Sequence, residues 1–398
     1  MKKKSIKLYI LIDYSEILII AGEMNELSNF KLINKIILPI TETSGNKIFD
    51  FEKVADLIKK NILLIEQQIN FTFKDLIIII DNFDITFLNL TGFKKLNGTQ
   101  ISKENITYII NSLKINVDQF ENKKKILHIF NSKYCLDKKN IDNLPIGLFG
   151  DFYSHELSFN LINKNDYKNL QIIFDNCNLK IEKILLESYV KGAFISNTYP
   201  QNDTFFFIQI NTNKSKIFFI ENGAIKYEQK FQFGTDIILN DISKVTSLDL
   251  NNIKKFLNKN TSLEKILNSD LVEKEYFDSK PYRKIKKKLI ADIAEARIKE
   301  IIDLIFYKNI NFDKTKKEIK KIFLEINLEN KTHCIKQMFS KCFLEENKIE
   351  LKNIEKPDIE EIIGTANNIV QFGWKKEAIP ITKKPKSLIT RFFRAIFD

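Results

Sequence analysis

A meander of apolar runs occurs twice in this chain, once at its start and again in its middle, and this recurrence constrains the fold more than any other feature. The first copy has runs at 6–12 and 17–21 joined by the polar turn Asp13-Tyr14-Ser15-Glu16, with a third run at 30–40. The second has runs at 204–210, 216–220 and 225–233, separated by residues 211–215 and by Glu221-Asn222-Gly223. Short apolar runs bounded by polar turns read as strands. After the first copy, Val54, Leu57, Ile58, Ile62 and Ile65 recur at helical spacing, and 76–80 then reads as a fully buried strand ending at Asp81. Sheets of this kind bury their faces by packing against helices, so two such copies predict a duplicated α/β fold.

Between 86 and 164 the texture changes to shorter elements. A helix is expected at 102–113, started by Ser102 with Glu104 in its first turn, and strands at 126–130 and 156–162. Together they predict a small inserted α+β subdomain. A helix at 167–176 and a strand at 181–187 complete the first half. The second half continues with helices at 235–245 and 253–257, a basic stretch at 280–288, a long amphipathic helix at 290–307, a strand at 322–326, a helix at 333–343, and a helix at 359–372 closed by Gly373.

Hydrophobic content of 44% over 398 residues supports cores for two or more domains, and the net charge of +12 favours acidic partners without choosing among them. Nucleic acid is supported by net charge alone and is not an expected partner. The N-terminal MKKKSIKLYILI begins like a secretory signal, but Asp13 and Glu16 cut the apolar run short, and it reads as a strand. No stretch reaches the ~18 unbroken apolar residues of a spanning helix. Cys135, Cys177, Cys334 and Cys342 have no metal-type or redox-type spacing, which suits a reducing cytoplasm and core roles. His128, His155 and His333 are equally isolated, and no metal ligand set is expected.

The end of the chain, KKPKSLITRFFRAIFD, is amphipathic as a helix from Ser387. Leu388, Ile389, Phe392, Phe393, Ile396 and Phe397 share one face, while Arg391 and Arg394 join Lys383, Lys384 and Lys386 in supplying positive charge. That pattern suits a helix lying in the interface of an anionic membrane; the alternative is a terminal helix docked on its own domain. The segment from Pro380 to Pro385, which separates the helix from the body, favours the membrane.

Several segments, in order, resemble the FtsA family of bacterial cell-division proteins, of the actin, sugar kinase and heat-shock chaperone superfamily. The family's LHVIPxxY and NPxGLxG region is similar to Ile126-Leu127-His128-Ile129-Phe130 with Lys133-Tyr134, followed by Leu144-Pro145-Ile146-Gly147-Leu148-Phe149-Gly150. Its GAL hairpin, glycine and SDIA-type helix resemble Asn222-Gly223-Ala224-Ile225, Phe233-Gly234 and Leu239-Asn240-Asp241-Ile242. The EPRYTELL-like helix resembles Glu295-Ala296-Arg297-Ile298-Lys299-Glu300-Ile301-Ile302, and the late TAVGLLxYG element resembles the run from Thr365 to Gly373. The family also ends in a linker and a basic amphipathic helix.

The resemblance implies an actin-like, ribonuclease H-like duplicated fold. Its subdomain 1A falls at 1–85 and 165–203, the inserted 1C at 86–164, 2A at 204–240 and 313–375, and 2B at 241–312, with a linker at 376–386 and a membrane-targeting helix at 387–398. It further implies a peripheral protein on the cytoplasmic face of the membrane at the division site. There the family tethers the tubulin-like ring protein FtsZ, contacts other division proteins and self-associates into filaments. The FtsZ C-terminal tail would meet Arg297, with Glu300 one turn along and Lys288 upstream beside Lys286 and Lys287, because a fixed arginine flanked by apolar contacts holds a carboxylate peptide well.

The departures from the family fall on the nucleotide motifs. DIGT registers on Leu11-Ile12-Asp13-Tyr14, DIGGGTTD on the run from Gln209 to Lys216, and LTGG near Glu325-Ile326-Asn327-Leu328. Each replaced glycine puts a Cβ where backbone should approach phosphate, and the metal-side carboxylates are lost or moved. Weak or absent binding of ATP with magnesium follows, so no cofactor and no efficient ATPase activity are expected. Asp13, Ser15, Asn211 and Lys214 are left to line a remodelled pocket, or to serve as polar turns between strands. The alternatives that remain are an active ATPase driving polymerisation and an FtsA-like pilus or secretion adaptor.

Overall fold

The computed structural model describes residues 6–378 except 14–15, 25–29, 40–42, 45–46, 49–50, 82, 261–266, 268, 278–280, 314, 319–320, 328–332, 345–348 and 375. The chain groups into two units, the first comprising residues 1–203, 221–226 and 357–398 and the second residues 204–220 and 227–356.

In the first unit, β1 (Ile6–Ile12), β2 (Glu16–Met24) and β3 (Phe30–Pro39) form the meander expected from the apolar runs. A two-residue ribbon, β4 (Thr43–Ser44) and β5 (Lys47–Ile48), precedes α1 (Phe51–Ile69), which leads into β6 (Asp75–Ile80). The last five residues of β6, from Leu76 on, are all buried, as are Leu8, Tyr9 and Ile10 of β1. A continuous β-branched and aliphatic run is what a strand covered on both faces requires. The elements that follow are β7 (Ile85–Lys95), α2 (Lys103–Phe120), β8 (Lys124–Leu136), β9 (Lys139–Ile141), β10 (Phe152–Asn163), α3 (Lys164–Asp175), β11 (Lys180–Leu186) and α4 (Glu187–Thr198).

The main sheet is five-stranded in the order β11-β6-β1-β2-β3, with β1 antiparallel to β2 and parallel to β6. A separate four-stranded sheet, β7-β10-β8-β9, carries α2 on one face, and Ile106, Ile109, Leu113 and Val117 of that helix enter its core. The Asn105 side chain accepts the Ser102 N–H at 2.8 Å at the start of α2, so the expected helix start is correct. The helix runs on to Phe120, well past the expected end.

In the second unit, β12 (Phe205–Ile210), β13 (Ser215–Glu221) and β14 (Ala224–Phe231) repeat the meander. They are followed by α5 (Asp236–Thr246), α6 (Leu250–Lys259), α7 (Lys287–Ile302), α8 (Thr315–Glu318), β15 (Lys321–Ile326), α9 (His333–Leu344) and β16 (Glu350–Ile354). The sheet order β14-β13-β12-β15-β16 is five-stranded and reproduces the topology of the first sheet, with β12 antiparallel to β13 and parallel to β15. Phe206, Ile208 and Ile210 of β12 pack into a core shared with α5, α6, α7 and α9. Phe205, Phe207, Phe218 and Phe323 are also fully buried, each contributing about 2–3 kcal/mol over exposure. Finally α10 (Ile359–Phe372) returns to the first unit, capped by reciprocal bonds between Asp358 and Glu361.

Among the elements that escaped the sequence reading are β7, α4 and β16. The strand β7 is masked by Gly92, which sits where Ile109 and Leu113 of α2 press on the strand; a Cβ there would lie 2.5 Å from Ile109 Cγ2. The helix α4 follows β11 without a turn or a capping side chain, and β16 is a largely exposed edge strand. The long helix expected at 290–307 ends at Ile302 and widens into a π-turn over Asp303–Tyr307, where the Lys308 N–H donates to the Asp303 carbonyl at 2.7 Å. All four cysteines are free, Cys334 and Cys342 buried and Cys135 and Cys177 half-buried.

Candidate functional site

The first candidate element is the turn between β1 and β2. The Asp13 N–H donates to the Glu16 carbonyl at 3.1 Å, closing the turn on itself, and the Asp81 N–H donates to the Ile12 carbonyl at 3.0 Å beyond the parallel β1–β6 ladder. Asp13 is half-buried at this strand end. Ser15 lies outside the described residues. A phosphate-binding turn presents free backbone N–H groups, and here the Asp13 amide is already spent on its own turn.

The equivalent turn of the second unit, between β12 and β13, is filled by side chains. The Asn211 N–H donates to the Lys214 carbonyl at 2.9 Å. Inside it, the fully buried Glu325 of β15 lies directly across the ladder from Gln209 of β12. Glu325 Oε1 accepts from Gln209 Nε2 at 2.8 Å and from Asn327 Nδ2 at 2.7 Å, and Asn327 Nδ2 also donates to Asn211 Oδ1 at 2.8 Å. The Asn327 N–H extends the parallel ladder by donating to the Ile210 carbonyl at 2.8 Å. Both amide bonds converge on one carboxylate oxygen, Oε1.

The start of α5 closes over the same turn. The Thr235 N–H donates to the Asn211 carbonyl at 3.0 Å and the Asp236 N–H to the Thr212 carbonyl at 2.8 Å. Gly234 permits this approach, since a Cβ there would stand 2.1 Å from the Asn211 oxygen and 2.6 Å from the Thr212 oxygen. A helix N-terminus binds anions through its unspent amides and positive dipole end. Here two of those amides are occupied by turn carbonyls, and Asp236 places negative charge in the first turn. The network's signal was present in the sequence: Gln209 and Glu325 are polar residues set at matching places in two otherwise apolar strands.

The expected peptide-binding residues lie on α7, which packs against α5. Arg297 Nε and Nη2 both reach Asp241 Oδ2 of α5, and Arg297 Nη1 donates to Glu300 Oε2 at 2.6 Å. Arg297 and Glu300 are therefore brought together, with a partner, Asp241, that sequence reasoning did not single out. Lys288 stands apart on the same helix, paired with Asp292 at 3.0 Å, and Lys287 pairs with Glu273. The two carboxylates hold the guanidinium in a fixed orientation. A peptide carboxylate meeting Arg297 has to share or displace Asp241 or Glu300, a modest cost because the cluster is partly exposed.

Leu388, Ile389, Arg391, Phe392, Phe393, Arg394, Ile396 and Phe397, and with them the expected membrane helix, lie outside the described residues. Among the described residues no helix is long and apolar enough to cross a membrane, and no group of three or more His, Cys, Asp and Glu is arranged to hold a metal ion.

No family model matches the chain. It is similar to the cell division protein FtsA of Buchnera aphidicola subsp. Acyrthosiphon pisum, with 20% identity over 395 residues, covering 96% of this chain and 93% of the relative. Similarity to FtsA of Neisseria meningitidis serogroup B is 24% over 224 residues, covering 56% and 53%, and to FtsA of Escherichia coli K12 it is 17% over 260 residues, covering 64% and 61%. Among solved structures, the PilM-PilN type IV pilus biogenesis complex matches with a TM-score of 0.52 at 9% identity, covering 92% of this chain and 98% of that one. At that identity the likeness concerns the fold alone, which is the actin-like ATPase fold.

Proposed function

Because this chain is a divergent FtsA-like protein carrying the actin-like fold, we propose that it serves bacterial cell division as an adaptor rather than as an ATPase. In this reading it binds the C-terminal tail of FtsZ through the Arg297 face and attaches to the anionic cytoplasmic surface of the membrane at the division site through residues 387–398. It self-associates as actin-like proteins do and contacts other division proteins. The observation that carries the reading is the likeness to FtsA along 96% of the chain. The absence of a nucleotide requirement is supported by the filled β12–β13 turn, where amides suited to phosphate are bonded to the chain's own carbonyls. The pilus-adaptor alternative rests on likeness of fold.

Liposome co-sedimentation tests the attachment. Deleting residues 386–398 is expected to release the protein from vesicles rich in anionic lipid, and unchanged binding would sink the tethering claim. Fluorescence anisotropy with an FtsZ tail peptide tests the other end. Arg297→Glu is expected to weaken binding about tenfold or more, the effect of removing a charge-assisted bond; an unaltered affinity removes Arg297 from the site.

A further inference from the structure

Beyond α10, residues 376–378 bridge to the edge of the four-stranded sheet. Glu377 forms an antiparallel bridge with Phe130 of β8, along the stretch of that strand's edge that β9 does not cover. The Asn131 N–H donates to the Lys376 carbonyl and the Ala378 N–H to the Ile129 carbonyl, both at 2.7 Å. Two side chains seat the segment: Ala378 packs into the core under α2, and the buried Trp374 donates its indole N–H to the Gly223 carbonyl at 2.7 Å.

Charge is concentrated at one residue. Glu377 Oε2 accepts from Lys183 Nζ at 2.7 Å and from the Tyr189 hydroxyl at 3.3 Å, while Oε1 faces His128 Nδ1 at 3.4 Å. Burial alone would raise the Glu377 carboxyl; the Lys183 ammonium and the His128 ring overcome this and hold it at about 2. Burial lowers the pKa of His128, so its ring is neutral and donates from Nδ1. The carboxylate is thus ionised and bonded on both oxygens, and three donors from β8, β11 and α4 depend on it.

Besides the Glu377 cluster, the segment is held by the two backbone bonds, the indole bond, the Lys376 ammonium 5.8 Å from the Tyr134 ring centroid, and the burial of Trp374 and Ala378. Without the segment, β8 keeps its ladder with β10, but the Asn131 N–H and Ile129 carbonyl become an open sheet edge. We propose that residues 376–378 are a releasable strap that fills this β8 edge in cis, with Glu377 as its latch. When the strap leaves, the edge accepts an extended peptide that carries a carboxylate followed by a small apolar residue, by strand addition. In sequence the strap is followed by the basic, aromatic stretch at 383–398, which lies outside the described residues. The inference does not depend on the adaptor reading, because every contact it uses lies in the first unit.

The chain has a single tryptophan, Trp374, so its fluorescence reports the strap directly. In the full chain, Glu377→Ala leaves the half-buried Lys183 ammonium without its carboxylate and is expected to shift Trp374 emission to the red and raise its quenching by acrylamide severalfold. Amide exchange at Asn131 and Ala378 should accelerate about a hundredfold, while amides of β12 and β15 are unchanged. A synthetic peptide copying residues 372–379 should restore protection at Asn131 in the variant and leave the parent unaffected. If Glu377→Ala keeps Trp374 shielded and Asn131 slow, the latch is overturned; if the peptide restores nothing, the strand-addition edge is. Should the alanine variant fail to fold, Tyr189→Phe, which removes one donor, is expected to speed exchange at Asn131 about threefold, and no acceleration there overturns the latch equally.

Discussion

The first hairpin turn of each five-stranded sheet stands at the same place in the same strand order, yet the two turns are finished differently. The β1–β2 turn is closed by its own backbone, with Asp13 half-buried at the strand end. The β12–β13 turn is closed by Gln209, Glu325, Asn327 and Asn211 within and by the start of α5 above. Equivalent topology therefore does not mean equivalent wear. The second turn, which has no glycine from Asn211 to Lys214, carries a polar network that stitches two parallel strands to a hairpin and a helix.

The largest test of that difference is Gly234→Ala. The new Cβ meets backbone oxygen rather than a flexible side chain, so the turn or α5 has to move. A loss of about 3 kcal/mol or more is expected, read as a fall in the urea midpoint at unchanged slope. Next comes the pair Glu325→Ala and Asp13→Ala. The first takes the carboxylate from the buried Gln209 amide and the half-buried Asn327 amide and should cost about 2–3 kcal/mol; the second alters a half-buried turn and should cost about 1 kcal/mol or less. Equal losses would show that the two turns do the same structural work, and the contrast drawn between them would fail.

A third test separates the units by pH. His155 is fully buried beside Tyr134 and Tyr153 in the first unit, and burial pushes its pKa down to about 3. Unfolded, the ring takes a proton near its ordinary value of 6.5, while folded it does not until about 3. Stability is therefore full above that ordinary value and is lost as pH falls through the window between the two, by about 1.4 kcal/mol for each pH unit. His128, also lowered by burial, pulls in the same direction. Urea unfolding at stepped pH should show the slope, and His155→Phe should remove about one proton's share of it. An unchanged slope in that variant would assign the acid sensitivity elsewhere.

Much of the fold was legible because it rests on short-range pattern. The apolar runs of the two meanders have no other way to be buried, and Ser102 marks a helix start by chemistry local to it. What stayed hidden depends on partners far away in sequence. Gly92 reads as a strand breaker until α2 lies against it. Arg297 could be singled out as a cation on an amphipathic helix, but its engagement by Asp241 follows from the packing of α5 on α7. Glu377, set among lysines, reads as a solvated residue; only its approach to β8, β11 and α4 gives both its oxygens partners. Gln209 and Glu325 lie between these cases, visible as polar interruptions and interpretable only once β12 and β15 are known to run side by side.

The smallest expected effect is also the one most able to break the comparison. If the second turn could take phosphates, a ligand of micromolar affinity supplied at millimolar concentration would add about 4 kcal/mol to stability and raise the melting temperature by several degrees. To do so it would have to detach the Thr235 and Asp236 amides from the Asn211 and Thr212 carbonyls and sit against the Asp236 carboxylate. Each of those bonds is already made within the chain, so the ligand gains no net donors and meets like charge. Thermal unfolding with and without ATP and magnesium is accordingly expected to coincide to within about a degree. A clear rise would mean that the network around Glu325 opens for phosphate. The second turn would then be a gated nucleotide site rather than a closed one, and Glu325→Ala, by loosening the network, should enlarge the rise.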